Sequence, residues 1–241
     1  MKRTERHHLK QNELRRMTMQ ARDVMETKSR ELTMIVVALV VIAAVGIAYF
    51  VWRDRTESRA HALLADAMTV EEARIGPPAA PGTPNPGLSF PTERDRTQAA
   101  LTKFKIAADA YPSTTAGLFA RYQEAAAYMQ LGNAASAAST YQEVINRAGN
   151  GIYGQMARLG LAEAQARAGQ YDQALKEFSE LSQKKDGPLP VDAILMQLGR
   201  TYVAAGKRTE AQQTFTRLVD EYPESPFSGD ARKELENLKK T

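Results

Sequence analysis

The sequence predicts an all-α protein in which one N-terminal transmembrane helix precedes an α-solenoid of helix-turn-helix units. Two observations lead to this prediction. Residues 32–52 contain no charged side chain, and from Thr92 onward a pattern of small, aromatic and apolar residues returns every 37 residues. A third observation limits the chemistry, because the 241 residues include no cysteine and the three histidines all lie at or before His61.

The composition excludes several function classes. Without cysteine there is no disulfide, zinc ribbon, thiolate nucleophile or lipidated N-terminal Cys. With no histidine after residue 61, the C-terminal part lacks a His base and a His-ligated metal. We therefore expect no enzyme activity and no catalytic, cofactor-binding or metal-binding residues.

The excess of positive charge lies at the N-terminus. Residues 1–31 contain nine of the 32 basic residues and five of the 28 acidic residues, so the rest of the chain contains 23 basic and 23 acidic residues. A C-terminal part without net charge does not have the excess of basic residues with which proteins contact the phosphate groups of nucleic acid.

Residues 1–31 are predicted to be a cytoplasmic, basic, helical tail. Apolar residues recur there at spacings of three to five, which is typical of one helix face; they are Leu9, Leu14, Met17, Ala21 and Met25. We interpret the tail as a solvated helix that carries topogenic charge. The alternative is contact with anionic lipid or with a cytosolic partner.

Residues 32–52 are predicted to span a membrane. Twenty-one residues at about 1.5 Å each cover roughly 30 Å, the thickness of the hydrocarbon core of a bilayer. Tyr49 and Trp52 lie near one end, where aromatic rings favour the headgroup region. A cleaved signal peptide has a shorter apolar stretch. Five basic residues in 12–31 against three in 53–72 place the N-terminus in the cytoplasm. We therefore expect a single-pass protein of the bacterial inner membrane, with its C-terminal part in the periplasm.

Two segments connect the membrane span to the repeats. Residues 53–74 are predicted to form a juxtamembrane helix, since Ala60, Leu63, Leu64 and Ala67 share one side. Residues 75–92 contain six of the eleven prolines and three glycines. Such a stretch cannot form the interior of a helix or a sheet, so we expect an extended, mobile loop.

The repeat is most visible at two positions. Small residues return every 37 residues and an aromatic residue follows each of them four positions later; the pairs are Ala100 and Phe104, Ala137 and Tyr141, Ala174 and Phe178, and Ala211 and Phe215. The small residue allows close helix packing, and the aromatic ring fills the space between successive units. Gly132, Gly169 and Gly206 share a third position, where the chain is predicted to reverse in the left-handed conformation.

This pattern resembles the tetratricopeptide repeat, which implies a stack of antiparallel helix pairs over 93–226. Three full units match, at 118–151, 155–188 and 192–225. Residues 92–112 match the second helix of an earlier unit. We expect residues 57–74 to take the place of the first helix of that earlier unit. The period is 37 residues rather than the usual 34, because turns such as 184–190 are longer. Residues 227–241 are predicted to be a capping helix that starts with Ser225 as its cap and Pro226 at its first position.

The whole chain resembles single-pass membrane proteins with a periplasmic tetratricopeptide domain, of the ancillary Sec translocon subunit or cell-division coordinator type. The segment FTRLVDEYPESPFSGDARKEL is also similar to repeats of the outer-membrane barrel-assembly lipoprotein, whose lipid anchoring the absent cysteine excludes. The resemblance implies a scaffold that binds proteins, namely the translocon, exported proteins or an envelope complex, with no nucleic acid and no small-molecule substrate. The alternative is a structural protein that self-associates through its repeats.

The resemblance also implies that the first helices of the units line a protein-binding groove. The candidate groove residues are Phe119, Tyr122, Gln123, Met129, Met156, Leu159, Glu163, Arg167, Met196 and Arg200. Tyr122 and Ala126 replace the Lys and Asn with which cytosolic relatives clamp a peptide carboxylate, so a C-terminal carboxylate ligand is not expected. The three methionines would suit varied apolar partners, because their side chains adapt in shape. The alternative, that these methionines belong to the core, stays open.

Overall fold

A computed structural model describes residues 3–77, 87–185 and 187–240, with side chains from Arg30 onward except that of residue 32. The chain divides into two compact units, Met1–Arg55 and Thr56–Thr241. Helix α1, Arg3–Glu71, begins in the first unit and ends in the second. The predicted apolar stripe of the tail and residues 78–86 of the predicted loop lie outside what the structure describes.

The first unit consists of the N-terminal part of α1. Among the described residues, one helical segment, Thr33–Glu71, is long and apolar enough to cross a membrane. The large apolar side chains from Met34 to Trp52 are 43–70% exposed, so none of the described parts of the chain covers them. The rings of Tyr49 and Trp52 lie 6.1 Å apart at the end of this apolar stretch. An uncovered apolar stretch of this length needs a partner other than water.

The described part of the second unit is mainly helical and contains a small two-stranded sheet. Strands β1 (Arg74–Ile75) and β2 (Ser89–Phe90) pair in parallel, with Arg74 opposite Ser89. The start and the end of the predicted loop are therefore held together, because the Gly76 N–H donates a hydrogen bond to the Phe90 carbonyl at 2.9 Å. The remaining helices are α2 (Glu93–Ala110), α3 (Thr115–Gln130), α4 (Ala134–Ala148), α5 (Ile152–Arg167), α6 (Tyr171–Ser182), α7 (Val191–Ala204), α8 (Arg208–Glu221) and α9 (Ser228–Lys240).

The alanine and the aromatic residue of each repeat lie in the packed interior, as predicted. All four alanines are at most 2% exposed, and all four aromatic side chains are at most 4% exposed. Packing around the rings is close, since a Cβ added at Gly199 would lie 2.4 Å from the Phe215 ring and one at Gly160 would lie 2.4 Å from the Tyr141 ring. Successive helices α3 to α9 each pack on their neighbours, which confirms the predicted solenoid of helix pairs.

The last part of α1 fills the first-helix position of the earliest unit. Ala67 and Val70 share a buried cluster with Ala100 and Phe104 of α2. Polar contacts add to this packing, because the Lys103 ammonium lies 2.7 Å from the Asp66 carboxylate. The second unit is therefore held from Thr56 onward by an apolar core and not only by chain connectivity.

Helix α9 closes the C-terminal end of the repeats. An apolar stripe of α9 faces the repeats, because Ala231 is fully buried and its neighbours on that face pack against the same core cluster; these are Phe227, Leu235 and Leu238. The predicted start of the helix was wrong. The helix begins at Ser228, and the Ser225 hydroxyl instead accepts from the Phe227 N–H at 3.1 Å and lies 2.7 Å from an Asp192 oxygen. Ser225 thus stabilises the turn before the helix.

The three glycines after the first helices adopt the left-handed conformation that was predicted. Gly132, Gly169 and Gly206 have φ values of 81°, 77° and 74°. Replacing Gly169 with valine should cost about 1–2 kcal/mol of the free energy of unfolding, because a β-branched residue resists positive φ. Thermal unfolding of the purified protein, followed by circular dichroism, measures this loss.

Two matched variants complete this prediction. Gly169→Asn should cost much less than the valine variant, since asparagine tolerates the left-handed region. Gly229 lies in α9, where an added Cβ would meet no atom within 4 Å. Gly229→Ala should therefore stabilise the protein by roughly 0.5–1 kcal/mol. Equal melting of the asparagine and valine variants would show that positive φ does not limit the turn.

Candidate functional site

The ten candidate groove residues lie on the three first helices, α3, α5 and α7. Six of them are half-buried; they are Phe119, Tyr122, Gln123, Met156, Leu159 and Glu163. Arg167 and Arg200 are exposed. The remaining two, Met129 and Met196, are buried, so the candidates do not form one continuous surface.

The prediction of a groove lined by three methionines is wrong for two of them. Met129 is 8% exposed and belongs to the cluster around Tyr141 and Val144. Met196 is 1% exposed and lies in the cluster around Phe178 and Phe215. Both side chains fill gaps between helices, which is the commoner use of a flexible apolar side chain. Met156 alone keeps a partly accessible position.

Five half-buried residues of α3 and α5 form a surface that we call the aromatic face: Phe119, Tyr122, Tyr153, Met156 and Glu163. The ring centroids of Phe119 and Tyr122 lie 6.4 Å apart, and those of Phe119 and Tyr153 lie 5.8 Å apart. Spacings of three and seven residues put Tyr153, Met156 and Glu163 on one side of α5. The aromatic face therefore joins the first helices of two successive units.

Tyr141 of α4 packs beneath the aromatic face. Its ring centroid lies 5.5 Å from that of Tyr122, and its side chain is 4% exposed. Gly160 makes this position possible, because any side chain there would overlap the Tyr141 ring. Sequence reasoning identified Tyr141 as the aromatic repeat residue but did not connect it, or Tyr153, with the candidate site. The spacing of three between Tyr153 and Met156 was the available signal.

Glu163 is the acidic member of the aromatic face. Burial raises the pKa of its carboxyl, and the positive charge of Arg167 offsets only part of that shift. Burial also raises the pKa of Tyr122, and the Glu163 charge adds to this shift. The Arg167 guanidinium donates to the Met129 carbonyl at 3.4 Å, and its charge acts on the Glu163 carboxylate without a salt bridge between the two side chains among the described residues. The Glu163 charge is thus partly desolvated and lies close enough to Tyr122 to affect the pKa of that phenol.

The raised pKa of Glu163 gives a prediction for stability against pH. The folded state holds the proton more tightly than the unfolded state, whose carboxyl has the ordinary value of 4.5. Ionised Glu163 therefore destabilises the fold above its folded pKa, and this penalty disappears as the pH falls below the unfolded value. Glu163→Gln should raise the melting temperature near neutral pH and leave it unchanged at about pH 4 or below. A variant that melts like the wild type at every pH would show that the carboxylate is well solvated.

The aromatic face is bounded on both sides. Toward α1, the Gln123 amide donates to the Glu71 carboxylate at 3.4 Å. Toward the C-terminus, Arg200 of α7 lies 3.9 Å from Asp230 and 3.7 Å from Glu234, both on α9. Arg200 is therefore engaged in ion pairs with the capping helix. The partly open apolar surface lies on α3 and α5.

An ionic network around the buried pair Arg121 and Glu124 of α3 was missed from the sequence. Arg121, 7% exposed, contacts Glu124 at 2.6 Å, the Asp109 carboxylate, and Glu143 at 3.6 Å. Glu124 is 2% exposed. The network connects α2, α3 and α4, so its position indicates a structural role. Arg121 and Glu124 are three residues apart in an alanine-rich helix, and no sequence signal distinguishes this pair from a surface pair.

The comparisons with known proteins bear on the fold. A family model described as a tetratricopeptide repeat-like domain matches residues 28–239. Among solved structures, the chain is similar to a Podosopora anserina protein described as a kinesin light chain with nearly identical TPR-like repeats, at a TM-score of 0.57 and 15% identity over 76% of this chain and 86% of that chain. It is also similar to YrrB, described as a TPR protein with an unusual peptide-binding site, at a TM-score of 0.48 and 19% identity over 58% of this chain and 68% of that one. A search among curated proteins found no match.

Proposed function

Because the chain belongs to the tetratricopeptide repeat-like family, which its 28–239 match establishes, we propose that it is a membrane-anchored scaffold that binds protein partners on the periplasmic side of a bacterial inner membrane. The partners would be the translocon, exported proteins or an envelope complex. We further propose that the protein is not an enzyme and that its binding site is the aromatic face. This assignment replaces the longer groove that the sequence suggested.

One observation supports the binding role above the others. The aromatic face combines three neighbouring rings with a desolvated carboxylate, all partly accessible, on two successive first helices. Partly exposed aromatic side chains bring large contact area with few rotatable bonds, so they are enriched among residues that dominate protein binding. A face of π surfaces, phenols and one carboxylate suits noncovalent recognition of a polypeptide.

The membrane assignment rests on the uncovered apolar stretch and on the charge around it. Under this proposal residues 32–52 cross the bilayer, residues 1–31 lie in the cytoplasm and the repeats lie outside. The five basic residues in 12–31 exceed the three in 53–72, and basic residues favour the cytoplasmic side. Residues 53–74 would then begin the periplasmic part, and Ala67 and Val70 of this segment pack against α2 of the repeats.

Protease treatment of spheroplasts tests this topology. Protease added outside should digest the repeats and spare the tail, detected with an antibody against each end. Detergent lysis provides the control, since both ends should then be digested. Protection of the repeats in intact spheroplasts would overturn the periplasmic assignment.

Site-specific photocrosslinking in membranes tests the binding role. A photoreactive amino acid at Phe119 should crosslink a partner, whereas the same group at Glu180, an exposed position on α6, should crosslink far less. Crosslinks from Glu180 that match those from Phe119 would remove the aromatic face as the binding site. Products that contain two copies of this chain would favour the self-associating alternative, which light scattering of the purified protein would check.

A further inference from the structure

We propose that one edge of the second unit lies on the surface of the bilayer that the proposed span crosses. This edge, which we call the entry edge, consists of residues 56–59, 111–115 and 147–152. Its occupant is the headgroup layer of the membrane, where Ile152 contacts the upper part of the lipid chains and two arginines contact lipid phosphates. The inference rests on the proposed membrane span, and it adds a contact between the repeats and lipid.

Two hydrogen bonds bring the parts of the entry edge together. The Ala116 N–H, in the first turn of α3, donates to the Glu57 carboxylate of α1 at 3.3 Å. The Arg147 guanidinium, in the last turn of α4, donates to the Pro112 carbonyl at 3.4 Å. Ile152 begins α5 five residues after Arg147. The start of the second unit, the α2–α3 turn and the α4–α5 turn therefore lie side by side.

A short connection holds the entry edge near the membrane. Residues 53–55 alone separate Trp52, the last residue of the proposed span, from Thr56, the first residue of the second unit. Four steps of at most about 3.6 Å limit the distance between their Cα atoms to roughly 14 Å. The glycine turns after α3 and α5 lie at the other ends of these helices, which have 16 residues each and are about 24 Å long. Of the two edges of the repeats, the entry edge is therefore the one tied to the membrane.

The entry edge exposes apolar surface. Ile152 is 46% exposed, and Tyr111 is half-buried in the α2–α3 turn. Single exposed apolar residues are common on proteins and by themselves indicate no partner. At the level of the headgroups, however, aliphatic and aromatic side chains are stabilised, because this layer offers both apolar and polar contacts. The position of Ile152 on the entry edge, and not its exposure alone, indicates lipid as its occupant.

The charge of the entry edge matches lipid phosphate. Its charged residues are two arginines, Arg59 and Arg147, and one carboxylate, Glu57. Both arginines are exposed, whereas Glu57 is half-buried and already accepts from the Ala116 N–H. The positive charge is thus the more accessible one, and guanidinium groups form strong hydrogen bonds with phosphate. An edge with this charge favours anionic lipid over zwitterionic lipid.

Fluorescence quenching in nanodiscs tests the inference, and the absence of cysteine allows labelling at single introduced cysteines. The full-length protein is reconstituted into discs of phosphatidylcholine and phosphatidylglycerol that contain a lipid with a spin label at the top of its acyl chain. A dye on Ile152→Cys should be quenched several-fold more strongly than a dye on Gln170→Cys. Gln170 is exposed after the other end of α5, about 24 Å away, and its side chain makes no capping hydrogen bond.

Variants test the two kinds of contact separately, with a dye on Ser113→Cys, an exposed position of the α2–α3 turn. Ile152→Ser should reduce quenching of this dye. Val203→Ser should leave it unchanged, because Val203 is 40% exposed but lies near the glycine turn after α7, at the opposite edge. Arg59→Gln combined with Arg147→Gln should remove the extra quenching that phosphatidylglycerol gives over phosphatidylcholine alone. Circular dichroism checks that each variant stays folded.

The outcomes separate this inference from the proposed function. Protein that enters the discs but shows equal quenching at Ile152 and Gln170 would overturn the inference and leave the proposed span intact. Protein that elutes without disc lipid would overturn both. A photoreactive group at Ile152 that captures a protein in membranes, together with absent lipid quenching, would assign the entry edge to a protein partner and overturn the inference as well.

Discussion

Replacing Arg121 with methionine should reduce the free energy of unfolding by about 3–5 kcal/mol, because it leaves the Glu124 carboxylate buried without its main counter-charge. Glu124 is 2% exposed and lies 2.6 Å from the Arg121 guanidinium. Lys105, at 3.9 Å, is more than half exposed and provides a poorer substitute. Urea unfolding of the full-length protein in a non-ionic detergent, followed by circular dichroism, measures the loss.

Two comparisons show whether burial of the charge causes this effect. Arg121→Met combined with Glu124→Leu should recover much of the lost stability, since replacing both members of a buried ion pair with apolar residues is often neutral. Lys103→Ala breaks an ion pair of 2.7 Å whose two side chains are 44% and 51% exposed. It should cost less than about 1 kcal/mol. An Arg121→Met variant as stable as Lys103→Ala would mean that Glu124 is solvated in solution.

Replacing Met196 with alanine should cost about 2–5 kcal/mol, because the lost side chain leaves a cavity in the core. Met196 is 1% exposed and packs in the cluster that contains Phe178, Phe215 and Ala231. Thermal unfolding of the full-length protein measures the change. This expectation reverses the one from sequence, which placed Met196 at the binding surface.

Met156→Ala is the matched control, because it makes the same chemical change at a half-buried position of the aromatic face. It should cost roughly 1 kcal/mol or less, since little apolar area leaves a covered environment. Crosslinking from Phe119 should weaken in this variant if Met156 contacts the partner. Equal melting of the two variants would place Met196 outside the core.

The repeat architecture could be predicted from the sequence because it depends on residues that recur at a fixed spacing. Ala174 and Phe178 recur in register with their counterparts in the other units, and helix packing uses both positions in the same way each time. Gly169 was identifiable because the turn after a first helix needs a positive φ, which is a local property of the backbone. The start of α9 was misplaced, since Ser225 carries a cap signal but uses its hydroxyl in the preceding turn.

Membership of the candidate site could be predicted only in part, because the same repeat position has different neighbours in each unit. Tyr122, Leu159 and Met196 are 37 residues apart, yet the first two are half-buried and Met196 is 1% exposed. Met196 lies within the buried cluster that also contains Ala231 of α9, whereas Leu159 packs at the edge of that cluster. Periodicity assigns a residue to a helix and a repeat position, but it does not tell how much of that position the next element covers.

The sequence by itself determined the helix pairs, their period, the glycine turns and one apolar stretch long enough to span a membrane. Each of these depends on the residue and its near neighbours along the chain. The tertiary structure alone decided that Arg121 and Glu124 are buried together, that Met129 and Met196 belong to the core, and that the rings of Phe119 and Tyr153 come together from α3 and α5. The physical reason is that burial and electrostatic environment are set by atoms from other helices, which a spacing within one helix does not specify.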